Sequence, residues 1–389
     1  MTDPWTAMIV GLLVFLATIV SVEIGISVAL IEITIGVIAG NFLGLQTTPW
    51  IDYLAAFGSI VLTFLAGAEV DTDLLREQLK GSLWIGGLSF TLPFLAAWGV
   101  ALWVLGWNPA ASKIAGIALS TTSLAIVYAV LVETGLTGTP LGKLIMAGTF
   151  VTDFGTAAAL SVLFVRPTVW IVVFLGVSTA IIVLMPRLQP WFFRRYGSRV
   201  IEPEIKGAFA ALLVLIYFGA LADSHAVLPA FVLGLALSRV FAAHRAEQRR
   251  FRVIAFAMLT PFFFLKAGMN VELGVVAANL GVLTLLLGVK LAAKFAGVLP
   301  AAQRYVGAHA MYTTLLMSTG LTFGTISSLY GLQAGIIDQT QFSLLVTTVI
   351  LSAVLPTVVA QRLFDPRRRG VPVPQAARVL PRVPAFEEE

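Results

Sequence analysis

Asp153 stands in the middle of an apolar run that begins near Leu144 and continues through Val165. A charged side chain at bilayer depth costs at least ~2.5–3.5 kcal/mol, and those that persist there usually mark an ion or proton pathway. At helical spacing Thr149 lies one turn before Asp153 and Thr156 one turn after it, on the same face. Thr152 is the immediate neighbour. A carboxylate flanked by hydroxyls is a small oxygen-rich site facing the protein interior. The alternative is a buried aspartate that neighbouring hydroxyls hold for packing alone.

Basic residues supply the possible counterpart. Lys290 and Lys294 are four residues apart in Leu287-Gly288-Val289-Lys290-Leu291-Ala292-Ala293-Lys294-Phe295, so they share a helix face and repel if both are charged. A buried amine is a proton carrier or the counter-charge to a carboxylate such as Asp153. Lys290 is expected in that role, because Lys294 is nearer the expected end of its span and long enough to reach water. Lys266 is expected to snorkel in the same way. Glu69 ends an apolar run just before Asp71-Thr72-Asp73 and suits a structural or gating role, paired with Arg76, better than transport. Glu23 and Glu32 sit in or beside the first two spans and either line a vestibule or mark a loop.

Two apolar segments are interrupted by hydroxyls. Ser120-Thr121-Thr122-Ser123 breaks one, and Ser318-Thr319-Gly320-Leu321-Thr322 breaks the other. Glycine and hydroxyl side chains make a broken helix tolerable by re-satisfying freed backbone groups. A matched pair of broken segments in two halves of a chain points to a transporter's binding site. One pair member precedes Asp153 and the other follows Lys290, a mirrored order suited to inverted repeats. The competing explanation is that these hydroxyls only glue helices together.

These residues must be positioned by membrane helices. The chain has 389 residues, 58% hydrophobic and 12% charged, with a mean hydropathy of +0.94. Continuous apolar runs of about 20 residues specify an all-α polytopic membrane protein and exclude a transmembrane barrel. Roughly thirteen spans are expected, near 6–28, 30–44, 52–69, 82–106, 113–132, 143–165, 168–186, 206–222, 226–240, 252–270, 274–299, 305–329 and 342–362. Lysine and arginine concentrate in alternate connections, which places the C-terminus in the cytoplasm and the N-terminus outside. Residues from Asp365 onward, rich in Pro, Arg and Glu, read as a disordered cytoplasmic tail.

Several function classes drop out. Cysteine is absent, which removes thiol catalysis and Cys-ligated metals. The sequence has no His-Glu-x-x-His, no Gly-x-Gly-Asp pair, no nucleotide-binding Gly-rich loop and no acidic cluster for magnesium, so an enzyme is not expected. His225, His244 and His309 have no metal-ligand spacing. The net charge of +5 sits in loops between spans and signals no nucleic-acid partner. No cofactor is expected.

The chain resembles the monovalent cation:proton antiporters, in the sodium/proton exchanger family of the second cation:proton antiporter group, with the NhaA-like fold. The resemblance rests on Gly36-Val37-Ile38-Ala39-Gly40-Asn41-Phe42-Leu43-Gly44, on Phe64-Leu65-Ala66-Gly67-Ala68-Glu69, and on Leu131-Val132-Glu133-Thr134-Gly135-Leu136 through Gly142 to Asp153. Pro261-Phe262-Phe263-Phe264 with Gly268-Met269, and Lys290 with Phe295 and Gly297, complete it. It implies a bacterial inner-membrane homodimer with inverted repeats and two interrupted, crossing helices. Residues 1–80 and 206–273 would form a dimerisation domain, and 81–165 and 274–362 a moving core. Residues 166–205 would be a linker helix and cytoplasmic loop, and 363–389 the tail. Asp153 would be the ion-binding aspartate, with Thr121, Thr122 and Ser123 at the first crossover and Ser318, Thr319 and Thr322 at the second. Relatives carry Asp-Asp or Asn-Asp where this chain has Thr152-Asp153, and often Arg and Glu where it has Gly320, Leu321 and Thr322.

The expected function is exchange of a monovalent cation, sodium ahead of potassium, for protons that compete for Asp153. Thr152 and the crossover hydroxyls are expected as oxygen ligands, and the missing first acid points to electroneutral exchange. The rivals are a sodium-coupled symporter of an organic solute on the same fold, and a cation channel or sensor.

Overall fold

The computed structural model describes residues 4–24, 27–164, 168–196, 202–222 and 224–366; most of the expected tail, Arg166, Arg199 and Asp223 lie outside them. The described elements are all helical. In chain order the main helices are α1 (Pro4–Ile24), α2 (Val28–Phe42), α3 (Pro49–Ala68) and, after a short helix over Thr72–Glu77, α4 (Leu79–Gly99, prolonged by a wide turn over Val100–Val104). Next come the two halves of a broken helix, α5a (Pro109–Ser120) and α5b (Leu124–Glu133), then α6 (Pro140–Leu163), α7 (Val169–Tyr196), α8 (Pro203–Leu221) and α9 (Val227–Ala243). α10 runs through three joined pieces (Arg245–Ile254, Ala255–Leu259 and Thr260–Met269) and is followed by α11 (Leu280–Val306). A second broken helix, α12a (Ala310–Met317) and α12b (Thr322–Gln333), precedes α13 (Gln339–Leu363).

Among the described residues ten helical stretches are long and apolar enough to cross a membrane, one of them running from Leu280 through Gln333, and α2 and α9 are shorter apolar helices. This is a multi-pass membrane protein. Local sequence explains where many of the helices start. Proline opens α3, α5a, α6 and α8, where its missing N–H costs nothing. Asn108 and Thr139 accept hydrogen bonds from the backbone N–H of Ala111 and Gly142, and Asp338 with Gln341 forms a reciprocal cap on α13.

The expected span 274–299 is displaced. Leu273–Ala278 is a separate short helix that ends at Asn279, whose side chain bonds the Val275 carbonyl, and α11 then continues to Val306. The span expected at 168–186 also extends, as helix, to Tyr196.

Helices α4, α5, α6, α11, α12 and α13 pack on one another, and α2, α3, α9 and α10 form a second packed group. Glycine sets the tightest approaches in the second group. A Cβ on Gly67 would run into the Phe231 carbonyl oxygen, and one on Gly234 into the Phe64 carbonyl oxygen, so α3 and α9 touch backbone to backbone. Gly36, Gly40 and Gly268 do the same between α2 and α10. These contacts leave no room for adjustment, because packed interiors close gaps with side chains and here there are none.

Candidate functional site

The two broken helices cross at their breaks. Thr121, Thr122 and Ser123 leave the α-helical conformation, with Thr121 at φ −65°, ψ 154°. The Thr122 hydroxyl donates to the Met317 carbonyl at 3.0 Å, at the end of α12a. The Ser123 N–H approaches the Thr319 hydroxyl at 3.5 Å. Gly320 lies against Thr121, and Gly324 faces the Ala118 carbonyl. Each half-helix leaves C-terminal carbonyls without intrahelical partners, and the two chains satisfy part of each other's deficit.

The lysines of α11 supply more. Lys294 Nζ donates to the Ser89 hydroxyl at 2.8 Å, the Ser120 carbonyl at 2.8 Å and the Thr122 hydroxyl at 3.0 Å. Its three donors are thus used on α4 and on the end of α5a. Positive charge there complements the negative end of the half-helix dipole. Lys290 Nζ makes a single long contact, 3.5 Å, with the Thr121 carbonyl. Both lysines are fully buried. The expectation that Lys294 reaches water is therefore corrected: α11 runs twelve residues beyond it to Val306, which places Lys294 mid-helix rather than near an end.

Asp153 projects from α6 and is 1% exposed. Among the described residues its Oδ1, which is buried, has no hydrogen-bond partner. It interacts electrostatically with Lys294 but forms no ion pair within 4.0 Å among the described residues. A buried carboxylate without a hydrogen bond is costly unless a proton or a cation joins it. Beside it, the hydroxyls have fixed duties as donors. Thr149 donates to Ile145 O at 2.9 Å and Thr156 to Thr152 O at 2.9 Å. Thr152 donates to Gly148 O at 3.0 Å and to Gly86 O of α4 at 3.3 Å, so it faces α4 rather than the crossover. Each still has oxygen lone pairs to offer.

In the second crossover Ser318 and Thr319 donate to carbonyls of α12a, and Thr322 opens α12b. Ser123 Oγ is buried without a partner. Ser120, the first of the four hydroxyl residues at the break, joins through its carbonyl, and Ser89 joins although no sequence pattern distinguished it. Ser89 is a lone serine on α4, and only the fold carries it to Lys294.

Glu69 and Lys266 lie apart from the crossover. Glu69 pairs with Arg252 of α10 at 3.5 Å; the side chain of its expected partner, Arg76, lies outside the described residues. Burial pushes the Glu69 carboxyl above its usual range, and the Arg252 charge opposes that shift. Lys266 is buried and pairs with Asp52 of α3 at 2.7 Å, so it does not snorkel. Glu32 is buried on α2, with Oε2 unpartnered. Among the described residues no group of three His, Cys, Asp or Glu side chains could hold a metal ion.

A sequence model of the family described as "Sodium/hydrogen exchanger, transmembrane" matches residues 11–364. The probable Na(+)/H(+) antiporter 3 of Methanocaldococcus jannaschii is 27% identical over 359 residues, covering 85% of this chain and 90% of that protein. The Na(+)/H(+)-K(+) antiporter GerN of Bacillus cereus is 25% identical over 386 residues, covering 92% and 95%. A solved structure, of the sodium proton antiporter MjNhaP1 from Methanocaldococcus jannaschii, superposes with a TM-score of 0.70 at 15% identity, covering 92% of this chain and 98% of that one.

Proposed function

The chain belongs to the sodium/hydrogen exchanger family of membrane transporters, and on that premise we propose that it exchanges a monovalent cation for protons at Asp153 by alternating access. The observation that carries the proposal is the unpartnered, buried Oδ1 of Asp153 beside two crossing broken helices. The carboxylate takes a proton or a cation, one at a time, because either relieves the same desolvated charge. Lys294 is tied by three hydrogen bonds and serves as a fixed counter-charge that holds the crossover together, with Lys290 as a second positive charge one turn away. Thr121, Thr122 and Ser123, with Ser318, Thr319 and Thr322, shape the space around the ion. Thr149 and Thr156 offer oxygen lone pairs along α6, and Thr152 anchors α6 to α4.

Sodium is favoured over potassium, in keeping with the name of the Methanocaldococcus jannaschii relative, while the name of the Bacillus cereus relative includes potassium as well. With one acid at the crossover, exchange is one for one and electroneutral. The group α4, α5, α6, α11, α12 and α13 is the moving core, and α1 to α3 with α8 to α10 form the scaffold through which two copies associate. The membrane is the bacterial inner membrane, with the N-terminus outside and the C-terminus in the cytoplasm, as the positive-inside rule requires.

The test uses everted vesicles and a pH-sensitive dye. Sodium addition dissipates the proton gradient in the parent, and Asp153→Asn abolishes that response. Retained exchange in Asp153→Asn overturns the assignment. Sodium-dependent uptake of a solute without proton movement overturns antiport. A rate that changes with imposed membrane potential overturns electroneutrality.

A further inference from the structure

Two cavities approach the crossover from opposite ends of the molecule. One, of about 930 Å³, is lined by Ile60 of α3, Ala110 of α5a, Phe164 of α6, Val227 of α9 and Ile326 of α12b, among others. The other, of about 490 Å³, is lined by Ala68 and Glu69 of α3 and its end, Leu124 of α5b, Phe150 of α6 and Ser238 of α9. The same helices therefore pass from one cavity to the other, and each has a stretch between that lines neither. On α6 that stretch holds Asp153, and on α9 it holds Phe231.

Aromatic rings meet within that stretch. Phe231 is almost fully buried and reaches from α9 towards the other packed group. It lies 6.1 Å from Phe154, the residue after Asp153, and 6.4 Å from Phe323, which follows the break in α12. Phe323 is buried as well, while Phe154 is about half exposed. Phe231 also sits on the stiffest part of its group, since its own carbonyl oxygen is the atom against which Gly67 of α3 packs. A ring held on a rigid helix pair, facing one ring on the broken helix α12 and one on α6, forms an apolar constriction that excludes water.

We propose that Phe231, closing on Phe323, is the barrier that prevents the two cavities from joining beside Asp153. The proposal deepens the exchange reading, since alternating access requires that Asp153 never face both cavities at once. The barrier is nevertheless testable without exchange. Phe231→Ala removes a ring whose volume far exceeds the ~30 Å³ share of a water molecule, between two cavities that open to solvent.

The experiment uses the full chain in sealed proteoliposomes with an imposed pH gradient, an entrapped pH dye, and choline as the only bulk cation. Phe231→Ala and Phe323→Ala are each made alone and combined with Asp153→Asn. The expected result is loss of the held gradient in both, persisting in the Asp153→Asn background, where exchange is absent. Phe241→Ala, a buried phenylalanine of α9 away from the gap, keeps the gradient. If Phe231→Ala cannot be recovered as a monodisperse protein, Phe323→Ala decides. A gradient held as tightly in the barrier variants as in the parent overturns the proposal, whatever Asp153→Asn does to exchange. Exchange surviving in Asp153→Asn overturns the functional reading and leaves the barrier result to stand separately.

Discussion

Gly320→Ala tests whether Lys290 is fitted to the second crossover. A Cβ at residue 320 would overlap Lys290 Nζ and stand 2.9 Å from Thr121 Oγ1 and 3.3 Å from the Thr121 carbonyl. Lys290 is fully buried, so its ammonium has no solvent to retreat into. Thr121 belongs to the break in α5, pinned by Thr122 and Ser123 against α12. Overpacking of this kind costs about 1–3 kcal/mol. Lys290→Met supplies the diagnostic second change, because a methionine side chain ends one atom short of Nζ and vacates the space a Cβ would need. The two substitutions should therefore couple, with an interaction energy of about 0.5–3 kcal/mol that makes the double variant more stable than the sum of the singles predicts. Equilibrium unfolding in mixed micelles, followed by tryptophan fluorescence, measures all four corners of the cycle. Additivity within about 0.3–0.5 kcal/mol refutes the reasoning, since that is the behaviour of residues that do not touch.

The backbone contact between α3 and α9 should be intolerant of a single methyl. Gly67→Ala and Gly234→Ala each meet a carbonyl oxygen and are expected to cost at least the ~1–3 kcal/mol of core overpacking. Gly87→Ala on α4, with nothing within 4 Å of its Cβ, should gain up to about 1 kcal/mol from helix propensity; the same unfolding assay compares them. His225 should impose a pH dependence. Its ring packs on Tyr330 of α12b with centroids 3.9 Å apart, and burial lowers its pKa from 6.5 to about 4. The folded state then prefers the neutral ring, so stability is fully present above pH 6.5 and falls as pH drops from 6.5 to about 4. His225→Gln should flatten that part of the melting-temperature profile relative to the parent, and an unchanged slope would count against it.

What could be read from residues alone was the class, the two breaks and the aspartate. Each announces itself through a violation of local expectation. Asp153 is a charge in an apolar run, and Thr121 to Ser123, with Ser318, Thr319 and Thr322, are hydroxyls where a membrane helix prefers aliphatics. Ser89 breaks no local rule, and its place beside Lys294 follows from how α4 packs on α5 and α11. The expectation that Lys294 reaches water missed for a related reason. It depended on where α11 ends, and the short helix before Asn279 moved that helix along the chain by more than a turn. Glycines 36 and 40 were legible as a family motif, but their reason is tertiary: α10 backbone occupies the space a side chain would need.

Lys294 and Asp153 differ in how the protein binds them, and that difference supports the proposal that exchange takes place at Asp153. Broken helices expose carbonyls that a membrane cannot hydrate. At this crossover Ser120 O receives Lys294, Thr121 O receives Lys290, and Met317 O receives Thr122. The groups that hold the breaks open therefore have partners from the protein itself, and moving any of them would leave a buried carbonyl unsatisfied. Asp153 Oδ1 has no such partner. A proton or cation arriving there displaces no structural bond, and one leaving breaks none. The polar groups of the crossover serve one another, and the carboxylate proposed to change occupants is not among them.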